Sequence, residues 1–229
     1  MEQTIRQKPK QQKIKGVADI VFCVDASGSM SPCIDGLKDH IASFLEGISS
    51  NKNLESVDWR LGFLAHDSET FYVKEFVNDI NDFKTALKGV TTGGDEFTLP
   101  ALDWCVDFPW RENSQRVVVL FTDETLETGA DPGRQRSRLR ELTEKIMGLR
   151  VMVYFVGPDC PEYKSIADLP RCYFNPVDAH SGFFKTGFEK VLERIGKTLS
   201  GSLTPGQTPS ASFRKDIYNV AQEVKITRL

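Results

Sequence analysis

Residues 18–30, ADIVFCVDASGSM, join an apolar strand to a polar turn, and this stretch decides the fold. Its first part is nearly continuous in apolar and β-favouring residues, which is typical of a strand buried on both faces. Three further segments have the same character: VDWRLGFLA (57–65), RVVVLFTD (116–123) and VMVYFVG (151–157). The sequence therefore predicts four buried strands.

Segments with helical spacing lie between these strands. After the first strand, apolar residues recur at Leu37, Ile41, Phe44, Leu45 and Ile48. Ser31-Pro32 before them supplies an N-cap and a proline at the first helical position. Asp131-Pro132 gives the same start signal for a later helix, which Gly148 can close. A last amphipathic helix is predicted over residues 184–199.

Strands that alternate with helices predict an α/β fold. We expect a Rossmann-like, doubly wound, mostly parallel sheet with helices on both faces. The segment FYVKEF (71–76) follows the second strand after only the polar residues HDSET, which are too few for a crossover helix. We therefore expect it to form one antiparallel strand at the sheet edge. Function is expected where the carboxyl ends of the strands open into loops.

Charge and hydropathy exclude several classes of protein. The 229 residues contain 29 Lys plus Arg and 32 Asp plus Glu, a formal net charge of -3, so no basic surface favours nucleic-acid binding. No apolar run reaches the roughly 18 to 20 residues that cross a bilayer. Residues 1–15 do not have the pattern of a secretory signal. We expect a cytoplasmic protein with neither a nucleic-acid nor a membrane partner.

The two ends of the chain differ in composition from the middle. Residues 1–15 are polar and basic and predict a flexible arm. The stretch SGSLTPGQTPSAS (200–212) is typical of a linker. Residues 213–229 carry enough apolar side chains to dock, as helix or strand, on this domain or on another chain. We therefore expect one domain over residues 16–200, followed by a linker and C-terminal tail over 201–229.

The cysteines do not predict a metal or disulfide scaffold. Their number is odd, and no C-x-x-C pair occurs among Cys23, Cys33, Cys105, Cys160 and Cys172. Only Cys160 and Cys172 lie close enough in sequence to suggest a bridged loop, and a reducing compartment disfavours that bridge. The simpler interpretation is that these side chains pack as small apolar groups.

A D-x-S-x-S pattern, Asp25, Ser27 and Ser29, follows the first strand directly. The two serines alternate with small residues, so both hydroxyls can turn toward one point. Hard cations such as Mg²⁺ take oxygen ligands and few carboxylates. Asp123 ends another buried strand and offers a second carboxylate. Since neighbouring parallel strands end at the same sheet edge, Asp25 and Asp123 can reach one ion.

A third loop can contribute to the same site. The stretch TTGGDEFT (91–98) contains glycines that permit sharp turns, and the following LPALDWCVDF (99–108) predicts a short helix that would hold the loop in place. Three loops that converge on one cation are the simplest joint explanation of these motifs.

The D-x-S-x-S motif after an apolar strand, combined with Asp123 after VVVLFT, resembles the von Willebrand factor A-type domain with its metal-ion-dependent adhesion site. The resemblance spans about residues 16–200. It implies that Asp25, Ser27 and Ser29 ligate a divalent cation directly or through water, and that Asp123 holds a coordinated water. It also implies that a threonine of the middle loop is a ligand and that the ion keeps a position open for an acidic side chain of a partner protein.

The middle loop departs from the family pattern. The threonine usually follows a glycine pair, but Gly93-Gly94 is followed here by Asp95, and Thr98 comes later. In this respect the chain is similar to an intracellular, bacterial-type branch of the family with glycine and aspartate in this loop. We expect Asp95 as the third-loop ligand, with Thr98 as the substitute. An extra carboxylate would raise metal affinity and lower the net positive charge of the ion.

The sequence thus predicts a metal-dependent protein–protein interaction module, not an enzyme, that serves as an intracellular scaffold or assembly factor. The expected cation is Mg²⁺, with Mn²⁺ or Ca²⁺ as replacements. Its candidate ligands are Asp25, Ser27, Ser29, Asp95, Thr98 and Asp123. One alternative is a Mg²⁺-dependent hydrolase or phosphoryl-transfer enzyme with His66 or Glu96 as base. A metal-free interaction module is the other alternative, and the sequence leaves the oligomeric state open.

Overall fold

The computed structural model describes residues 16–49, 57–176, 192, 195 and 225–229. The strands are β1 (Gly16–Asp25), β2 (Val57–His66), β3 (Thr70–Val77), β4 (Gln115–Phe121), β5 (Met152–Gly157), β6 (Cys172–Pro176) and β7 (Lys225–Arg228). The helices are α1 (Ser31–Ser49), α2 (Ile80–Leu87), α3 (Thr98–Val106), α4 (Pro132–Ser137), α5 (Leu139–Leu149) and α6 (Pro161–Ala167). One turn of 3-10 helix, Gly28–Met30, leads into α1.

The described strands form one sheet in the order β6-β5-β4-β1-β2-β3-β7. Every pairing among them is parallel except that of β2 with β3, which is antiparallel. β1 lies between β2 and β4, and its last residues pair with the ends of both neighbours: Val24 with Phe121, and Asp25 with His66. The predicted doubly wound, mostly parallel α/β fold is confirmed.

Alternate side chains of β1 enter two separate cores, one on each face of the sheet. Phe22 packs edge-on against Phe44 of α1 and Phe83 of α2. Cys23 faces the opposite core, which α3, α5 and α6 cover and which includes Leu102. Both faces of β1 are buried, and this explains why its sequence is nearly continuously apolar rather than alternating.

The predicted edge position of residues 71–76 is wrong, because β7 pairs with β3 in parallel and takes the edge instead. The Leu229 amide donates to the Val73 carbonyl at 3.2 Å, and Lys74 Nζ donates to the Leu229 carbonyl at 3.1 Å. The predicted C-terminal tail therefore ends in a strand of this sheet. β7 supplies partners for main-chain groups of β3 that an edge strand would leave unpaired.

Two helix predictions need correction. The segment after Asp131-Pro132 forms two helices: the Asp131 carboxylate accepts a hydrogen bond from the Arg134 amide at 3.2 Å and starts α4, and α5 follows separately. Gly148 lies inside α5. The helix is capped by Arg150, whose φ of 55° brings the Val151 amide back to the Ile146 carbonyl at 3.0 Å.

Several predictions fall on residues that the structure does not describe. The basic arm (1–15) and the linker lie outside the described residues. Of the predicted last helix only Leu192 and Ile195 are described, and both are helical and buried. The five cysteines are free and buried, so the structure contains no bridge between Cys160 and Cys172. Among the described residues, no helix combines the length and apolarity needed to cross a membrane.

The buried Asp19 carboxylate, near the amino end of β1, accepts hydrogen bonds from β2 and from the loop between α3 and β4. Arg60 of β2 donates to Asp19 through Nε at 2.9 Å and Nη2 at 2.7 Å. Arg111, in the loop between α3 and β4, donates through its amide and its Nε, both at 2.8 Å. Burial alone would raise the pKa of Asp19, but these hydrogen bonds hold it below its usual value.

We expect Asp19→Asn to lower the free energy of unfolding by about 2–3 kcal/mol near neutral pH. The substitution removes the charge that compensates two half-buried arginines. Because the folded-state pKa of Asp19 lies below its unfolded value, its stabilisation is complete above the unfolded pKa and is lost as the pH falls through the folded pKa. Urea denaturation from about pH 7 to pH 3 should therefore show the difference from wild type shrinking toward acid.

The matched control is Asp58→Asn. Asp58 pairs with the same Arg111 at 2.9 Å but is 53% exposed. Its loss should cost less than about 1 kcal/mol. A difference for Asp19→Asn that does not change with pH would contradict the role assigned to the ionised carboxylate.

Candidate metal centre

Three loops meet at the carboxyl ends of β1 and β4. They follow β1, follow β4 and precede α3. Main-chain hydrogen bonds join the loop after β1 to β2 and to the loop before α3: the Ala26 amide donates to the His66 carbonyl at 2.7 Å, and the Gly93 amide donates to the Ala26 carbonyl at 2.8 Å. The loop after β1 is thus positioned from both sides by main-chain groups.

Asp25 is fully buried at the centre of this site. Its Oδ1 accepts a hydrogen bond from the Ser27 amide at 2.7 Å, and its Oδ2 accepts one from Thr122 Oγ1 at 3.0 Å. Thr122 directly follows β4, so the two strands contribute to one carboxylate. The Asp25 carboxylate is therefore oriented by an amide of the loop after β1 and by a hydroxyl at the end of β4.

The two serine hydroxyls lie side by side, with Ser27 Oγ and Ser29 Oγ 3.0 Å apart. Ser27 is buried and its hydroxyl interacts with the carboxyl group of Glu96. Ser29 is exposed and its hydroxyl interacts with the carboxyl group of Asp123. The structure therefore brings Asp25, both serines and Asp123 together, and it adds Glu96, which we did not predict as a ligand.

The carboxyl groups repel one another. Burial, with the charges of Glu96 and Asp123, raises the pKa of Asp25 to about 7. Burial, with the charges of Glu124 and Asp123, raises the pKa of Glu96 to about 7. Burial and the charge of Glu124 also raise the pKa of Asp123. The charged neighbours that act most on these groups are all acidic, so the site has an excess of negative charge.

Two buried oxygen atoms at the site have no hydrogen-bond partner among the described residues: Oδ1 of Asp123 and Oγ1 of Thr98. Buried polar atoms normally have a partner, so each unpaired atom requires an explanation. Oxygen ligands, few carboxylates and surplus negative charge are the conditions that a hard divalent cation requires. The residues present therefore fit Mg²⁺, Mn²⁺ or Ca²⁺.

The fit depends on hydroxyl ligands as much as on acidic ones. Within the described residues, no group of three or more His, Cys, Asp or Glu side chains could hold a metal ion. The described residues therefore contain no site of the histidine and cysteine type that binds zinc. The candidate ligands combine serine and threonine hydroxyls with carboxylates.

The two third-loop candidates differ in position. Gly94 has a φ of 76°, in the left-handed region, and a Cβ there would lie 3.3 Å from Cβ of Asp67. After this turn Asp95 is exposed, Glu96 is buried, and Thr98 is 1% exposed at the start of α3. No hydrogen bond or ion pair joins Asp95 to the other candidate ligands in the part of the chain that the structure describes. Thr98 is thus the better placed of the two.

His66 lies below the rim of the site. It is fully buried, and burial lowers the pKa of its imidazole to about 3. The ring packs edge-on near Phe71, and neither nitrogen has a hydrogen-bond partner among the described residues. The neighbouring Asp67 accepts from the amides of Glu69 and Thr70, which closes the turn into β3. The His66 imidazole is therefore neutral near pH 7 and is not exposed to solvent.

Gln135 of α4 connects the first turn of α3 to the loop after β4. Its Oε1 accepts from the Leu99 amide at 3.1 Å, and its Nε2 donates to the Ala130 carbonyl at 2.6 Å. The Ala130 amide in turn donates to the Glu96 carbonyl at 2.8 Å. The buried Gln135 side chain thus holds the main chain on both sides of the candidate ligands.

We expect Gln135→Met, which keeps the volume but removes both hydrogen bonds, to lower the free energy of unfolding by about 1–3 kcal/mol. The cause is that the Leu99 amide and the Ala130 carbonyl lose their partner. Urea denaturation measures the change, and Ser137→Ala on the exposed side of α4 serves as the control. A loss no larger than that of the control would refute the bridging role.

A parallel α/β sheet with loops that gather hydroxyls and carboxylates at the carboxyl ends of its strands defines a class of ligand-binding domain. The sequence model of the von Willebrand factor type A domain matches residues 19–193, and the chain belongs to this family. Domains of this family are generally protein-interaction modules. The resemblance inferred from the motifs is confirmed at the level of the family.

Several known proteins are similar to this chain, one in sequence and others in fold. Alpha-protein kinase vwkA of Dictyostelium discoideum is 26% identical over 160 residues, which are 60% of this chain and 24% of the kinase. The SpRpn10 VWA domain has a TM-score of 0.56 and 12% identity, covering 76% of this chain and 93% of that one. BatB from Bacteroides thetaiotaomicron has a TM-score of 0.54 and 13% identity, covering 80% and 99%.

Proximal thread matrix protein 1 from the mussel byssus is also similar, with a TM-score of 0.57 and 19% identity. The match covers 81% of this chain and 47% of that protein. The chain thus spans about a quarter of the kinase and about half of the mussel protein. At these identities the structural likenesses show the fold alone.

Proposed function

We propose that this chain is a metal-dependent protein-interaction module. Asp25, Ser27, Ser29 and Asp123 hold Mg²⁺, for which Mn²⁺ or Ca²⁺ can substitute, and Thr98 completes the set in preference to Asp95. One observation carries the proposal: unpartnered buried oxygens of Asp123 and Thr98 lie in a site whose charged neighbours are acidic. A divalent cation would give these oxygens a partner and offset the repulsion.

The protein groups orient the ligands before a cation binds. The Ser27 amide and the Thr122 hydroxyl fix both oxygens of Asp25, which is fully buried and shielded from water. Ser29 is exposed, so the site opens to solvent on its side. When bound, the cation supplies a positive centre that an acidic side chain of a protein partner can ligate. Capture of a partner is therefore expected on the Ser29 side.

We propose a scaffold or assembly role in the cytoplasm rather than catalysis. The alternative is a hydrolase or phosphoryl-transfer enzyme that uses the same ion, for which His66 and Glu96 were the candidate bases. His66 is fully buried and has no hydrogen-bond partner among the described residues. The similarity to an alpha-protein kinase covers only 24% of that protein, and it favours a module that works beside phosphoryl-transfer enzymes.

We expect Mg²⁺ to raise the stability of the wild-type chain and Asp25→Ala to abolish that increase. Binding to the folded state alone stabilises by about 2.7 kcal/mol at a cation concentration of 100 times Kd. Thermal unfolding with Mg²⁺ or with a chelator measures the shift, and isothermal titration calorimetry measures binding directly. Asp39→Ala, an exposed change on α1, is the control and should keep the full response.

Ser29→Ala provides a second variant that leaves the core untouched, because Ser29 is exposed. It should weaken the Mg²⁺ response and the capture of protein partners from a native lysate, and chelation should remove the same captured proteins from wild type. Equal Mg²⁺ stabilisation in wild type and Asp25→Ala would reject the metal site. Capture that survives both chelation and Asp25→Ala would point to the metal-free module.

A further inference from the structure

The short strand β7 is held to the sheet along one side. In the described sheet it is the outermost strand and pairs with β3, from Thr70 beside Lys225 to Val73 beside Arg228. Arg228 Nη1 lies 3.2 Å from Glu75 Oε1, but these side chains are 78% and 59% exposed, so the ion pair contributes little. A four-residue strand with one neighbour belongs to the low-stability end of a structure and opens before the central strands.

Leu229, the residue after β7, packs where the chain leaves α2. Its side chain is half-buried against the core on the α1 and α2 face of the sheet. A Cβ at Gly89 would lie 3.1 Å from Leu229 Cδ2 and 3.3 Å from the Ala86 carbonyl oxygen. Gly89 therefore leaves the space that Leu229 fills. It belongs to the loop before α3, residues 88–97, so β7 is anchored on the first part of that loop.

Tyr72 of β3 links β7 to the same loop a second time. It pairs with Thr227 of β7, and its hydroxyl shares a hydrogen bond with the hydroxyl of Thr91. Two residues further on, the Gly93 amide donates to the Ala26 carbonyl at 2.8 Å, in the loop after β1 that carries candidate ligands. One β3 residue thus contacts both the C-terminal strand and the loop that borders the candidate metal site.

The turn between β2 and β3 supplies a third link. Thr70 pairs with Lys225 of β7, and its carbonyl accepts the Asp67 amide at 3.0 Å. A Cβ at Gly94 would lie 3.3 Å from Asp67 Cβ, so the loop before α3 rests on this turn. The loop is therefore supported at 89, 91 and 94 by β7 itself or by the part of β3 with which β7 pairs.

We propose that docking of β7 on β3 holds the loop before α3 in the position that cation binding requires, so that release of β7 lowers the cation affinity of the site. This inference rests on the proposed metal site, because the loop leads directly into the candidate ligand Thr98. Linkage makes the effect reciprocal: a bound cation strengthens the docking of β7 by the same factor. The C-terminal strand is thus a regulatory element of the metal site.

The experiment uses the full chain with two variants that weaken β7 docking. Leu229→Ala removes the side chain that fills the space at Gly89, and Thr227→Pro removes a main-chain donor from β7. In both we expect the Mg²⁺ affinity, measured by isothermal titration calorimetry, to fall by about 5-fold or more. Without cation, hydrogen exchange of the Gly93 amide, measured by NMR, should become faster by about the same factor. Faster exchange of the β3 amides reports that β7 is released.

Two further variants test the route and control for general damage. Tyr72→Phe keeps the ring and removes the hydroxyl that reaches Thr91, so Leu229→Ala should cost less Mg²⁺ affinity in this background than in wild type. Arg228→Ala removes the exposed ion pair with Glu75 and should change the affinity by less than about 2-fold. In wild type, saturating Mg²⁺ should slow exchange of the Leu229 amide, which donates to the Val73 carbonyl.

The outcomes separate this inference from the proposal on which it rests. If wild type binds Mg²⁺, and both β7 variants expose the β3 amides yet keep the wild-type affinity and Gly93 exchange, the coupling is refuted and the metal site stands. A loss in Arg228→Ala as large as that in Leu229→Ala also refutes the coupling, because it shows no dependence on the loop contacts. If wild type binds no Mg²⁺, both the metal site and its regulation by β7 are refuted.

Discussion

Parallel pairing of β1 with β4 is the constraint on which the rest of this structure depends. The register that sets Val24 beside Phe121 ends both strands at the same level, so Asp25 and the Thr122-Asp123 pair emerge together. The Thr122 hydroxyl then donates a hydrogen bond to the Asp25 carboxylate, so the strand register also brings these two side chains into contact. The two-sided core keeps the strands in this register, because a slip by one residue would exchange the apolar side chains of the two faces.

The two buried carboxylates near the ends of β1 have opposite surroundings, and their pKa values are shifted in opposite directions. Asp19 and Asp25 are both fully buried, but Asp19 receives hydrogen bonds from Arg60 and Arg111, and its pKa is lowered. Burial, with the charges of Glu96 and Asp123, raises the pKa of Asp25 to about 7. The amino end is therefore a satisfied structural ion pair, whereas the carboxyl end keeps charge that is not offset by the described residues. This asymmetry separates the stabilising end of the sheet from the end where binding is proposed.

The sequence patterns identified the strands that consist of long apolar runs. β1, β2, β4 and β5 are nearly continuous apolar runs and were predicted to within a few residues. β6 and β7, CYFNP and KITR, are short and mixed in polarity, so only their pairing with β5 and β3 defines them as strands. Gly148 was the expected helix end, but Arg150 adopts the left-handed conformation instead, which lets the Val151 amide reach the Ile146 carbonyl.

The sequence by itself determined the fold class and the gathering of Asp25, Ser27, Ser29 and Asp123 at one edge, since each follows a buried parallel strand. It favoured Asp95 over Thr98 only from a family pattern, and it named Glu96 only as a candidate base of the alternative enzyme. Adjacent residues after a glycine turn point in different directions, and the choice depends on the left-handed Gly94 and on the hydrogen bond from the distant Ala130 amide. Those contacts join segments far apart in sequence, so only the tertiary structure could decide that Asp95 is exposed and that Glu96 and Thr98 are buried.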